Sequence, residues 1–217
     1  GLWRRYHGKG NLSLAMGVNS SASGLNSLAI GYANTASGTQ SVAVGNGTHA
    51  SGNYSVAMGL GSQAGTQNKN PESTDNGAAV AVGFEASAEQ TGSAAYGYMA
   101  SANNFESSAF GTSAQANKDG SVALGAHSVA NREKGVKGYL IPDEVNDIVI
   151  KEEGDKGNTS ADTKIDTAIW MSTDGAVSLG GKTKNAAGQD VTISRQITNL
   201  AAGSEDSDAV NVAQLKA

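Results

Sequence analysis

Small and apolar residues alternate along the first half of the chain in a short phrase that keeps returning. Ser27-Leu28-Ala29-Ile30-Gly31 recurs fourteen residues later as Ser41-Val42-Ala43-Val44-Gly45. Phrases of this form, S-x-A-x-G, close on Gly17, Gly31, Gly45, Gly59, Gly83, Gly97, Gly111 and Gly125, with Ala79 in the place of the serine before Gly83. The spacing is 14 except for one interval of 24, between Gly59 and Gly83, and removing Thr66 to Asp75 restores 14 there as well. Alanine stands two before each of these glycines, from Ala15 to Ala123, and again five after each, from Ala22 to Ala130. A fixed period of this kind marks a solenoid whose coils stack on one another.

Within each copy the period is two, which predicts a strand. Leu14/Met16, Leu28/Ile30, Val42/Val44, Val56/Met58 and Val122/Leu124 share one face, and the Ser, Ala and Gly between them share the other. A second short strand carries the alanine that follows each glycine. Turn residues such as Ser23-Gly24, Ser37-Gly38 and Asn117-Lys118 join the two. Fourteen residues thus hold two strands of about five residues and two tight turns, one coil of a flat β-solenoid. The expected arrangement turns the large residues of the first strand inward onto the alanines of the second. The small face of Ser27, Ala29 and Gly31 is then left to pack against another copy. Eight coils stacked ~4.8 Å apart make a rod of roughly 38 Å.

Composition supports a thin core. The 217 residues include 29 glycines but only 3 Phe, 2 Trp and 6 Tyr, so the apolar content is mostly Ala and Val. Burial stabilises by roughly 25 cal/mol per Å², and small side chains bring little area each. Association with further copies is the expected remedy. A net charge of −5 argues against nucleic acid as a partner. The absence of cysteine rules out a disulfide framework and a thiolate metal site. No apolar run approaches the ~18 residues of a membrane span. The start, GLWRRYHGKG, is not a secretory signal, so any export signal and membrane anchor are expected outside the fragment.

At the C-terminal end, Arg195-Gln196-Ile197-Thr198-Asn199-Leu200-Ala201-Ala202-Gly203 is followed by Asp208-Ala209-Val210-Asn211-Val212-Ala213-Gln214-Leu215-Lys216. With the head repeats, this string resembles the YadA-like heads and necks of trimeric autotransporter adhesins. The resemblance covers about residues 11–132 and 176–217. It implies an all-β, left-handed parallel β-roll of 14-residue coils, assembled as a homotrimer, with a neck leading into a trimeric coiled coil. Residues 1–132 are then the head, with an insertion loop at 66–75. Residues 133–175 form an insert at the head base, and 176–217 the neck and start of the stalk. Ser128-Val129-Ala130-Asn131-Arg132 is similar to the usual exit from the last coil. The neck residues expected to join the trimer are Arg195, Gln196, Ile197, Thr198, Asn199, Leu200, Val212 and Leu215. The carboxylates and hydroxyls of Ser204 to Asp208 read as a helix start, with Val212 and Leu215 as an a/d pair.

Little in the chain reads as chemistry. His49 and His127 fall in equivalent turns several coils apart and cannot share a metal within one chain. The acidic run Asp143 to Asp155 lacks calcium-loop spacing, and no phosphate-loop string is present. Trp170 and Tyr139 read as anchors of the insert, and Trp3 to His7 as an N-terminal cap or a flanking segment. No cofactor, metal or catalytic residue is expected. The resemblance implies a head anchored in the bacterial outer membrane by a domain outside this fragment. Its partner is a host extracellular matrix protein (collagen, fibronectin or laminin) or a cell-surface receptor. The nearest match to the family's collagen-linked N-S-V-A-I-G-x-x-S repeat is Asn26, Ser27, Leu28, Ala29, Ile30 and Gly31, with Asn34 in place of the last Ser. The alternative is a rigid spacer, or a mediator of autoaggregation and biofilm without a specific ligand. A solenoid acyltransferase would repeat every six residues, and an ice-binding solenoid would need a threonine ladder; neither fits.

Overall fold

The computed structural model describes residues 8–65, 77–136, 172–185, 187–204 and 208–216. The insertion at 66–75, the insert aromatics Tyr139 and Trp170, the acidic run and residues 1–7 lie outside the described residues. The chain divides into two compact units, Gly1–Glu133 with Gly175–Arg195, and Lys134–Asp174 with Gln196–Ala217.

The first unit is a parallel β-solenoid. Sheet A holds β1 (Leu14–Met16), β3 (Leu28–Tyr32), β5 (Val42–Asn46), β7 (Val56–Leu60), β9 (Val80–Val82), β11 (Ala94–Tyr96), β13 (Ser108–Phe110), β15 (Val122–Leu124) and β17 (Val177–Ser178). Sheet B holds β2 (Ser21–Ala22), β4 (Thr35–Ala36), β6 (His49–Ala50), β8 (Gln63–Ala64), β10 (Ser87–Ala88), β12 (Ser101–Ala102), β14 (Gln115–Ala116) and β16 (Val129–Ala130). The sheet B strands are two residues long, shorter than the sequence suggests. Register follows the repeat: Leu28 pairs with Val42 and Ala29 with Ala43. Across the interval of 24, Val56 pairs with Val80 and Ala57 with Ala81, so the ladder continues unbroken past the insertion. A first corner carries the chain from sheet A to sheet B, and a second corner returns it to the next coil.

The two faces of the first strand are the reverse of the expected ones. Ala29 and Ala43 of sheet A, and Ala36 and Ala50 of sheet B, are fully buried and form the core. Leu28, Ile30, Val42 and Val44 point out of the roll, half-buried, while Leu14, Met58 and Leu124 are more than a third exposed. The reason is the length of the half-coil. Residues with left-handed backbone recur every seven positions, at Leu12, Asn19, Asn26, Ala33, Gln40 and onward through Gly47, Tyr54 and Gly61. After each from Asn19 onward comes a buried small residue (Ser20, Ser27, Asn34, Ser41, Thr48) and, two later, a buried alanine. Seven residues that must also make a corner leave only a short strand. Nothing larger than Ala, Ser, Thr or Asn is buried between the two sheets, which requires them closer than the ~10 Å of ordinary sheet packing. The 14-residue period is thus two seven-residue halves.

Burying hydroxyls and amides in so narrow a core demands partners. Ser27 and Ser41 donate to the carbonyls of Gly24 and Gly38 at 2.8 and 2.7 Å. Asn34 ties two coils together. Its Nδ2 donates to the carbonyls of Ile30 at 2.6 Å and Gly45 at 2.8 Å, while its Oδ1 accepts from Thr48 N at 2.9 Å and Thr48 Oγ1 at 2.7 Å. Asn34→Ala strands these groups in the interior, and about 1–3 kcal/mol of stability is expected to be lost. Urea unfolding measures this as a lower midpoint at unchanged slope.

The roll ends in a ninth half-coil that the sequence pattern disguises. Gly175-Ala176-Val177-Ser178-Leu179-Gly180 repeats Gly120-Ser121-Val122-Ala123-Leu124-Gly125 with Ala and Ser exchanged. Val177 pairs with Val122 and Ser178 with Ala123. Val122 N donates to Ala176 O at 3.0 Å, and Val129 N to Gly180 O at 2.7 Å. The chain then turns into an antiparallel hairpin, β18 (Gly181–Lys184) with β19 (Asp190–Ile193). Arg195 closes the end. Its guanidinium donates to Ala126 O at 2.6 Å, to Leu179 O and to Ser128 Oγ at 3.1 Å, lying against Gly125 where another coil would continue.

In the second unit, Ser172 and the Gly135–Val136 pair exchange backbone hydrogen bonds. The helix α1 spans Val212–Leu215 and is capped by Asn211, whose Oδ1 accepts from Gln214 N at 3.0 Å. Gln214 Oε1 accepts in return from Asn211 N at 3.2 Å. This capping box replaces the expected start at Ser204 to Asp208. Asp208 instead accepts from Ser204 N at 2.9 Å.

Candidate binding surfaces

Because the core takes only small residues, every large apolar side chain of sheet A is on its outer surface. Two columns run down it, one from Leu14 through Leu28, Val42, Val56 and Val80, the other from Met16 through Ile30, Val44, Met58 and Val82 to Tyr96, Phe110 and Leu124. Tyr96 stacks on Phe110 with ring centroids 5.3 Å apart. A third column at the first corner holds Tyr32, Asn46, Leu60, Phe84 and Tyr98, where Phe84 and Tyr98 stack at 5.0 Å. A continuous exposed apolar face of this kind marks an interaction site.

Sheet B presents the opposite chemistry. Its outward residues include Thr35, His49, Gln63, Ser87, Ser101 and Gln115, hydroxyls, amides and an imidazole, and the apolar Val129 stands only on the last strand, β16. Charge gathers near the end of the roll, where Lys118 bonds Glu133 and holds that carboxyl below the usual carboxylate range. A surface cavity of about 350 Å³ lies beside the ninth half-coil, lined by Val129, Asn131, Ser178, Lys182 and Thr192 among others. Among the described residues no group of three His, Cys, Asp or Glu could hold a metal.

The residues singled out from sequence fall into different settings. Ser27 and Ala29 are inside the roll, Leu28 and Ile30 lie on the apolar face, and Asn26 is exposed at a corner with φ 54°. Asn34, at the place of the motif's last serine, is in the core. His49 and His127 are not equivalent as expected: His49 begins β6, whereas His127 is a left-handed corner residue, φ 58°. Arg195 belongs to the closure of the roll. Gln196, Ile197, Thr198, Asn199 and Leu200 belong to the second unit, all exposed, with Asn199 left-handed at φ 59°. Val212 and Leu215 lie on α1, 65% and 82% exposed. Sequence reasoning missed Asn211 and Gln214. Gln214 Nε2 donates to Gly203 O at 3.0 Å, and its Oε1 also accepts from Gly203 N at 3.0 Å. Asn211 Nδ2 reaches Leu200 O at 3.2 Å. The Asn-x-x-Gln spacing was the available signal.

Two protein-family models match these segments. The YadA head domain repeat covers residues 9–34, 36–62, 78–99 and 102–128, and the coiled stalk of trimeric autotransporter adhesin covers 196–217. Together they take in more than half of the chain. The chain belongs to the YadA-like trimeric autotransporter adhesins. It contributes head repeats and the beginning of a stalk from this family of adhesins, which are not enzymes.

Among similar proteins, autotransporter adhesin BadA of Bartonella henselae is 51% identical over 49 residues, 23% of this chain and 1% of that protein. The matched segment therefore spans about one hundredth of that relative's length. The crystal structure of the collagen-binding domain of Yersinia adhesin YadA is 26% identical, with a TM-score of 0.47 over 92% of this chain and 84% of that one. No helix among the described residues is long and apolar enough to cross a membrane.

Proposed function

We propose that this adhesin head assembles as a trimer through the outer surface of sheet A and presents sheet B to a host extracellular matrix protein or cell-surface receptor. The observation that carries the reading is the contrast between the two sheets. A roll with an alanine core cannot bury Leu28, Val44, Met58 or Phe110 within itself, and covering them by further copies removes apolar area from water. Association through that face leaves hydroxyls and amides outside, a broad surface suited to a protein partner. In this reading Leu28 and Ile30 of the Asn26–Gly31 motif serve assembly, and Ser27 and Ala29 serve the roll. Asn26 is the member placed to meet a ligand. Arg195 closes the head, and Gln196 to Leu200 lead to a coiled coil opened by Val212 and Leu215. The head is displayed on the bacterial surface from an outer-membrane anchor beyond residue 217.

The test combines light scattering with binding to immobilised collagen, fibronectin and laminin. A mass of three chains and saturable binding to one matrix protein is the expected result. A trimer that binds none of them, yet clumps cells displaying it, replaces matrix attachment with the spacer or autoaggregation role. A stable monomer overturns the assembly.

A further inference from the structure

The two corners of the roll are chemically unlike. Residues that follow the ladder glycines at the first corner include Val18, Tyr32, Leu60, Phe84 and Tyr98, all exposed and beside the apolar columns of sheet A, with Asn46 between Tyr32 and Leu60 and with Thr112 and Ala126 in the last two coils. Stacked coils place Phe84 directly on Tyr98, their rings 9° from parallel. At the second corner Leu25 and Phe105 are the only large apolar residues at the matching positions, with Thr39, Asn53, Gly77 and Thr91 between them, and Leu12 and Tyr54 stand one residue further on in other coils, so no ridge forms there.

Both interruptions of the repeat fall at the second corner. The first lies between β8 and β9, after Gly65 and before Gly77. The second lies between β16 and β17, after Ala130 and before Gly175. At the first corner, by contrast, all eight coils keep the same number of residues from ladder glycine to the following alanine. A chain segment can be added at a corner only where nothing must pack against it. The uneven distribution is independent of side-chain chemistry, and it points the same way.

We infer that the first corner packs against a second copy of this chain, and that the second corner is the outward edge of the assembled head. This rests on the trimer reading above and extends it. Each protomer uses one flat face and one edge for its neighbours, an arrangement in which the ridge of one copy is sealed by another. The occupant of the first corner is a copy of this chain because its ridge lies beside the sheet A columns and carries Glu85 as its one charged residue among those described.

The chain has no cysteine, so a single introduced thiol reports its own surroundings. Val44→Cys marks the flat face, Leu60→Cys and Tyr98→Cys the first corner, and Gln40→Cys the second. Each variant is carried on a trimeric coiled coil fused to the C-terminal end, and labelling by a maleimide reagent is timed in the folded protein and in urea. The face and first-corner thiols are expected to react about tenfold or more slowly than the second-corner thiol when folded, since a packed interface excludes water and reagent alike. All should react alike in urea. A slow Val44→Cys with fast Leu60→Cys and Tyr98→Cys overturns the edge assignment alone. A fast Val44→Cys overturns the sheet A interface and the edge assignment together. A slow Gln40→Cys overturns the outward placement of the second corner.

Discussion

Ala43→Glu is expected to abolish the folded roll, whereas Val44→Glu, one residue along the same strand, leaves the roll intact and prevents association. Ala43 is fully buried between the two sheets, with Ala29 and Ala57 as its ladder neighbours. A carboxylate there has neither room nor a counter-charge. Desolvation without a partner costs several kcal/mol, on the order of the whole stability of a domain. Protonating the group relieves the charge but not the overpacking of a gap built for a methyl. Val44 points the other way and is half-exposed, so its substitution by Glu is solvated in the monomer and buried only in the trimer. Circular dichroism and light scattering on both variants read the two outcomes separately. A folded Ala43→Glu trimer would show that the alanines are not the core, and a stable Val44→Glu trimer would remove sheet A from the interface.

Gly45→Ala is expected to cost about 3 kcal/mol or more, lowering Tm by roughly 10 °C. Two effects combine at this position. The backbone stands at φ 143°, where L side chains are strained. An added Cβ would also lie 1.8 Å from the carbonyl oxygen of Gly59 in the next coil. That oxygen belongs to the ladder and cannot move without parting the coils. Gly31 faces Gly45 O at 1.9 Å in the same way, so Gly31→Ala should behave alike. A control is Gln40→Gly, at a left-handed corner with φ 55°, where removing the side chain should stabilise slightly. A Tm for Gly45→Ala within 2 °C of the parent, by calorimetry at matched protein concentration, would show that coil stacking is looser than the ladder requires.

Much of the architecture was legible because repetition makes each residue report on the others. The 14-residue period, the two strands per coil, the parallel stacking and the resumption of register after Thr66 to Asp75 all follow from spacing. The ninth half-coil escaped notice because Ala176 and Ser178 exchange the small residues of the phrase, though both are small enough for the core. The orientation of the strand was not legible. Alternation of Leu28, Ala29 and Ile30 establishes two faces but not which is inside, and the ordinary preference for burying large apolar residues gave the wrong answer. What decides is the distance between sheets, set by seven-residue half-coils whose corners consume most of their length. The α1 start was misplaced for a related reason: Ser204 to Asp208 and Asn211 are all competent caps, and only the closure of the Gln214 amide onto Gly203 and Asn211 selects the last.

By itself, then, the sequence determined a stack of 14-residue coils and the family to which they belong. Each of these is a property of spacing, and spacing is fully present in one dimension. Only the tertiary structure decided that alanines fill the roll and that Leu, Val, Met and aromatic residues clothe one side of it. That outcome depends on how closely two sheets approach, a distance set by the left-handed corners and the Gly31–Gly45–Gly59 ladder acting together across coils.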